Sequence, residues 1–79
     1  MPLEKTIINI ISETLGVEKE QIFPHSDFFN DLNADKVEIA DIVFKVQQVC
    51  QIELMEKDIT KIKTVADLIN LAEVNSDEL

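Results

Sequence analysis

Leu3, Ile7, Ile8, Ile11 and Leu15 recur at the i, i+4, i+5, i+8, i+12 spacing of one helical face, and Gly16 follows as a stop. This pattern predicts a first helix with a buried stripe, and Ile10, off the stripe's centre, either broadens it or stays partly exposed. A second and cleaner stripe is formed by Ile39, Ile42, Val43, Val46, Val49 and Cys50. Its β-branched residues lower intrinsic helix propensity by a few tenths of a kcal/mol each, but the period is 3.6 and not 2, so burial decides for helix. Asp35 is the expected N-cap, and Glu38 three residues on supplies an acidic capping box. Ile59 and Ile62 suit one or two helical turns, and Thr64 can cap a last helix carrying Val65, Leu68, Ile69, Leu71 and Ala72. No segment alternates with period two. The expectation is therefore all-α: a small four-helix bundle with three long helices and one short, and a long loop between helices one and two.

That loop, "GVEKEQIFPHSDFFNDLNAD", scatters Ser, Asn and Asp between apolar anchors Val17, Ile22, Phe23, Phe28, Phe29 and Leu32. Loops beyond about 12–15 residues are uncommon and tend to be functional, and these anchors should tack this one over the core. Three of the four phenylalanines lie in it and Phe44 lies beside the stripe of helix two; core packing is the expected role of all four. The chain shows no internal repeat and no linker, so one domain over residues 1–79 is expected, with a core of about 3–74 and a fraying tail from 75.

Composition narrows the function. With 46% hydrophobic residues and a single glycine the chain should fold rather than stay disordered. Sixteen acids against seven lysines and no arginine give a net charge of −9, which repels nucleic-acid backbones and anionic lipid surfaces. No apolar run approaches the roughly 20 residues of a membrane span, and "MPLEKT" lacks the basic start of a signal peptide. A cytoplasmic monomer with no membrane insertion is expected, and a lone Cys50 excludes an intrachain disulfide and a multi-thiolate metal site.

Catalytic and metal constellations fail on inspection. Asp31, Asn33, Asp35 and Asp41 suggest a calcium loop, but Lys36 stands at the sixth position, where glycine is needed, and Ile42 at the twelfth, where a bidentate Glu is needed. Cys50 lies on an apolar stripe, where thiols are normally inert, and His25 beside Pro24 reads as a turn residue. Met55 reads as gap filler. No acid, base and nucleophile converge, so an enzyme is not expected.

The order of a first helix ending in "LGV", a loop containing "FFNDLNAD", a helix starting at that Asp, and a closing "TKIKTVADLI" resembles the acyl carrier proteins over about residues 3–74. "DLNAD" resembles the family's D-L-G-A-D, with Asn33 for glycine, a mild change because Asn tolerates a left-handed backbone. The resemblance implies a bundle that carries acyl groups as thioesters on phosphopantetheine, in fatty-acid or related acyl metabolism. The family attaches this arm to the serine of D-S-L at the start of helix two. Here those positions read Asp35, Lys36 and Val37. An amine cannot form the phosphodiester, and the nearest serine, Ser26, lies back in the loop. As written, no cofactor is expected; phosphopantetheine is expected if position 36 were Ser.

Lys36 also opposes the helix dipole by about 0.3–1 kcal/mol at an exposed site, partly relieved by Asp35 and Glu38 nearby. Three readings follow. The chain is a relative that keeps the fold and docks proteins without carrying cargo; it is a true acyl or aminoacyl carrier whose serine has been replaced; or the lysine makes a new salt bridge or amide. The resemblance further implies docking on basic patches of acyl-metabolism enzymes through helix two, with Asp35, Lys36, Val37, Glu38 and Asp41 on the presenting face. Lys45, Gln47 and Gln48 interrupt the acidic character further along, so docking should be weaker or altered.

Overall fold

A computed structural model describes residues 3–76, with helices α1 (Leu3–Leu15), α2 (Lys36–Cys50), α3 (Glu56–Ile59) and α4 (Val65–Val74). The only further helical element among the described residues is a 3₁₀ turn, Lys19–Gln21, inside the long loop. The expected fraying of residues 77–79 lies outside the described residues, as does the start at Met1 and Pro2. Within them, Asn75 closes α4, its side-chain amide donating to the Leu71 carbonyl at 2.9 Å.

α1 packs against both α2 and α4. Ile7, Ile10 and Ile11 are buried and Ile8 is half-buried, so Ile10 broadens the stripe. Gly16 ends α1 at φ +69°, where the N–H groups of Gly16 and Val17 both donate to the Ser12 carbonyl. Such a left-handed cap costs glycine little.

The loop is held from within and from below. Ile22, Phe28, Leu32 and Ala34 are buried, with Phe28 fully enclosed. Asp27 accepts the N–H groups of Phe29 and Asn30, each at 2.9 Å, and Asp31 accepts that of Asp27 at 2.7 Å, so the loop's acids fold it on itself. Its floor is the start of α4: the Phe28 N–H donates to the Lys63 carbonyl, while Val65 and Ala66 donate to the carbonyls of Ser26 and Pro24. Two otherwise unsatisfied donors of the α4 N-terminus are thereby met by the loop.

Three expectations about apolar side chains are corrected. Phe23, Phe29 and Phe44 are exposed, and only Phe28 of the four phenylalanines is core. Met55 is exposed instead of filling a gap, and Val49, assigned to the α2 stripe, stands largely in solvent while Ile42, Val43 and Val46 are buried. With Phe28 already filling the space under the loop, a thin four-helix core is closed by aliphatic residues and leaves the other rings outside.

Candidate functional site

The N-terminal turn of α2 gathers the residues singled out in the sequence. Asp35 is its N-cap: one carboxylate oxygen accepts the Glu38 N–H at 2.8 Å, and the Glu38 carboxylate accepts the Asp35 N–H at 3.1 Å. Just before it, Asn33 takes φ +56°, the left-handed turn that delivers the chain into the cap. Lys36 is the first helical residue and is exposed; Val37, next, is 77% exposed.

The five candidate residues do not share one role or one direction. Val37 and Asp41 lie on the outward face with Phe44 and Gln48, at the i, i+4, i+7, i+11 spacing of a helical stripe. Asp35 and Glu38 are engaged in the cap, and Glu38 is half-buried. Lys36 sits to the side, lining a groove of about 580 Å³ between α2 and α3. Phe29, Ile39, Ala40, Ile59 and Ile62 form its apolar walls, and Glu56 and Thr60 stand on the α3 side. Sequence reasoning missed this groove; the pairing of Lys36 with Ile39 and Ala40, three and four residues on, was the available signal.

Farther along α2, two residues expected to alter the outer face are tied inward. Lys45 pairs with Asp41 at 3.3 Å and donates to the Thr14 hydroxyl of α1 at 3.2 Å. Gln47 accepts the Leu54 N–H at 2.8 Å and so fixes the turn that leads to α3. Only Gln48 of the three faces freely outward.

The hydroxyls near this end are already employed. Ser26 is buried and its oxygen accepts the Phe23 N–H at 3.0 Å. Thr60 donates to the Lys57 carbonyl at 2.8 Å. His25 stacks on Phe23 with ring centroids 5.4 Å apart. Cys50 is half-buried, and desolvation pushes its thiol pKa up, away from nucleophilic use. No helix among the described residues is long and apolar enough to cross a membrane.

A capped helix start stands beside an apolar groove at this end of the bundle. Comparison with known proteins identifies the family. The family model described as the phosphopantetheine attachment site matches residues 5–72. The chain is 39% identical over 67 residues to an acyl carrier protein of Coprothermobacter proteolyticus, covering 85% of this chain and 82% of that one. It is 33% identical over 76 residues to one of Syntrophus aciditrophicus, covering 96% and 95%. Among solved structures, the acyl carrier protein from Enterococcus faecalis superposes with a TM-score of 0.79 at 26% identity, over 94% of both chains. The apo doublet acyl carrier protein from prodigiosin biosynthesis shares the fold, with a TM-score of 0.82 at 19% identity over 94% of this chain and 36% of that one. This chain belongs to the acyl carrier protein family, whose members are carriers and not enzymes, have phosphopantetheine as prosthetic group, serve most commonly in fatty-acid biosynthesis and work with the enzymes of acyl metabolism.

The attachment chemistry needs a hydroxyl oxygen to become a phosphodiester. At the start of α2 the side chain on offer is the Lys36 amine, and the nearest serine in sequence, Ser26, is buried and hydrogen-bonded. The residues present at this turn do not fit a phosphopantetheine linkage.

Proposed function

We propose that this chain is a carrier-fold interaction module, one domain over residues 1–79, in which Lys36 stands where the family attaches phosphopantetheine. The observation that carries the reading is the register of the cap: "DLNAD" ends in Asp35, Asp35 caps α2, and the first helical residue is a lysine. The fold and the capped start of α2 are those of a carrier, and the side chain at position 36 offers no oxygen to bond an arm. The module docks enzymes of acyl metabolism through the N-terminal half of α2, where Asp41 on the outer face, with Asp35 and Glu38 in the adjoining cap, meets basic patches. Val37 lies at the centre of the contact and Lys36 at its edge. Exposed Val37 and Phe44 add apolar area that a purely electrostatic interface would lack. In this reading it acts as a cytoplasmic monomer.

Intact mass after incubation with coenzyme A and a broad-specificity phosphopantetheinyl transferase tests the proposal. No mass gain is expected for the natural chain. A gain of one phosphopantetheine would refute it. Modification of Lys36→Ser would show that only the hydroxyl was missing, and would favour a carrier whose serine has been replaced. Failure of that variant as well would mean that the transferase's recognition surface has also diverged.

A further inference from the structure

We propose that Lys45 determines which partners the outer face of α2 accepts. Held between Asp41 and Thr14, it occupies the one carboxylate on the outward stripe, so the face favours a partner that brings arginine to Asp41 over one that brings lysine. The inference rests on the docking reading and deepens it, because it names the cation that the partner's basic patch must offer.

Three observations carry it. Lys45 is half-buried, whereas the other six lysines of the chain are exposed. Its Nζ lies 3.3 Å from Asp41 Oδ2 and donates to the Thr14 hydroxyl at 3.2 Å, so the side chain bridges from α2 to the end of α1. An acid four residues before a lysine is a favourable helical pair, yet a surface pair alone contributes little, since a long side chain must be ordered to make it. The Thr14 hydroxyl supplies a second anchor on another helix, which holds the ammonium at the acid.

The second observation is that Asp41 is taken on one side only. Oδ2 is paired, and Oδ1 takes no bond among the described residues. The third is what surrounds it: the other members of the outward stripe, Val37, Phe44 and Gln48, carry no charge, so Asp41 is the stripe's only carboxylate.

These contacts treat the two basic side chains differently. A partner lysine brings a second point charge beside the ammonium already in place, and displacing that ammonium would exchange one contact for another of the same kind. A guanidinium is a planar fork that spans both carboxylate oxygens, so it gains a bond that Lys45 does not make. Its flat face can also rest on Phe44, exposed three residues along from Asp41. The displaced ammonium keeps the Thr14 hydroxyl and water. Lys45 is thus a positioning residue that acts through Asp41, and Thr14 acts through Lys45.

The test titrates the ¹⁵N-labelled full chain at low ionic strength with an amphipathic helical peptide whose basic positions are all arginine, and with its all-lysine counterpart. Both should shift the amides of residues 37–48, and the arginine peptide should bind on the order of fivefold more tightly. Lys45→Met should tighten the lysine peptide more than the arginine peptide and shrink that ratio to about twofold. Thr14→Val should shrink it part of the way. Lys45→Arg and Thr14→Ser keep the bridge and should keep the ratio at least as large. Lys5→Met, at the far end of α1 from Thr14, makes the same change in net charge and should leave the ratio unaltered. Circular dichroism confirms that each variant is folded, and a ratio of two affinities is not moved by a small loss of stability. A ratio untouched by Lys45→Met, or shrunk as much by Lys5→Met, would overturn the proposal while the docking reading stands. If neither peptide shifts α2, both are overturned.

Discussion

At the start of α2 the Asp35 carboxylate accepts the Glu38 N–H at 2.8 Å and Glu38 reaches back to the Asp35 N–H at 3.1 Å; at the start of α4 Thr64 and Asp67 exchange the same bonds at 3.2 and 3.0 Å. The two capping boxes differ in what lies around them. At α4 the loop supplies carbonyls to the next two N–H groups, and the first helical residue, Val65, is fully buried. At α2 no described residue accepts the N–H of Lys36 or Val37, and both side chains stand in solvent. Capping defines where each helix begins; tertiary packing decides which beginning is structural and which is left free for a partner. The long loop covers one helix start and thereby delivers the chain, uncovered, to the other.

The sharpest way to break this contrast is to remove the pin of the covered end. Phe28 is enclosed beneath the loop and its N–H bonds the Lys63 carbonyl, so Phe28→Ala should cost about 3–5 kcal/mol, enough to unfold much of so small a domain. Phe44→Ala, on the outer face of α2, should change stability by less than about 0.5 kcal/mol. Urea denaturation followed by circular dichroism separates them; comparable losses would mean that α2's outer face is structural after all.

Next in size are the caps themselves. Thr64→Ala and Asp35→Ala each remove one side-chain acceptor and should each cost about 1 kcal/mol. The α4 variant should be the more damaging, because its helix start is also the floor of the loop. Equal losses in thermal melts would show that the loop's backbone bonds hold α4 in place without the cap.

Acid sharpens the same difference. The Asp67 carboxylate accepts two backbone N–H groups, from Thr64 and Lys63, and these bonds hold its pKa below the ordinary aspartate value of 3.8. A depressed folded pKa gives stability that is fully present above the unfolded value and is lost as the pH falls through the folded one. The natural chain and Asp67→Asn should therefore differ in stability by a constant amount from pH 7 down to about pH 5, and the difference should close below about pH 4. A gap between their melting temperatures that persists to pH 2.5 would rule out the carboxylate as its source.

Most of the fold could be read from the chain because it is written in local terms. Helical spacing, the capping box at Asp35, the cap at Thr64 and Gly16 are decided by neighbours a few residues apart, and α1, α2 and α4 formed where those signals stood; the Asp67 half of the second box is seen only in the structure. The side chains that misled are those whose fate depends on distant packing. Phenylalanine is apolar enough to suggest core anywhere, yet Phe44 lies about 140° around α2 from Ile39, a position its spacing already assigned to solvent. Phe23 and Phe29 sit in a loop with no period to orient them. In sequence Lys45 and Gln47 have only the signature of surface residues, because their partners, Thr14 and Leu54, are brought near only by folding. The groove was hidden for the same reason, since Lys36 and Ile59 line it from two segments that no local pattern connects.

The smallest effect tests the free end alone. An ammonium at the first position of α2 faces the positive end of the helix dipole, and neither an ion pair nor burial compensates it. Lys36→Ser should therefore stabilise the fold slightly, by about 0.3–1 kcal/mol at low ionic strength, and the gain should shrink at 1 M salt, where the screening length falls to about 3 Å. The urea midpoint should rise with an unchanged slope, since the surface exposed on unfolding is the same. A loss of stability in its place would mean that Lys36 makes a contact on which the fold depends, and the start of α2 would then be as structural as the start of α4. A gain that vanishes with salt leaves Lys36 as a residue that the fold tolerates and only a ligand or partner can use.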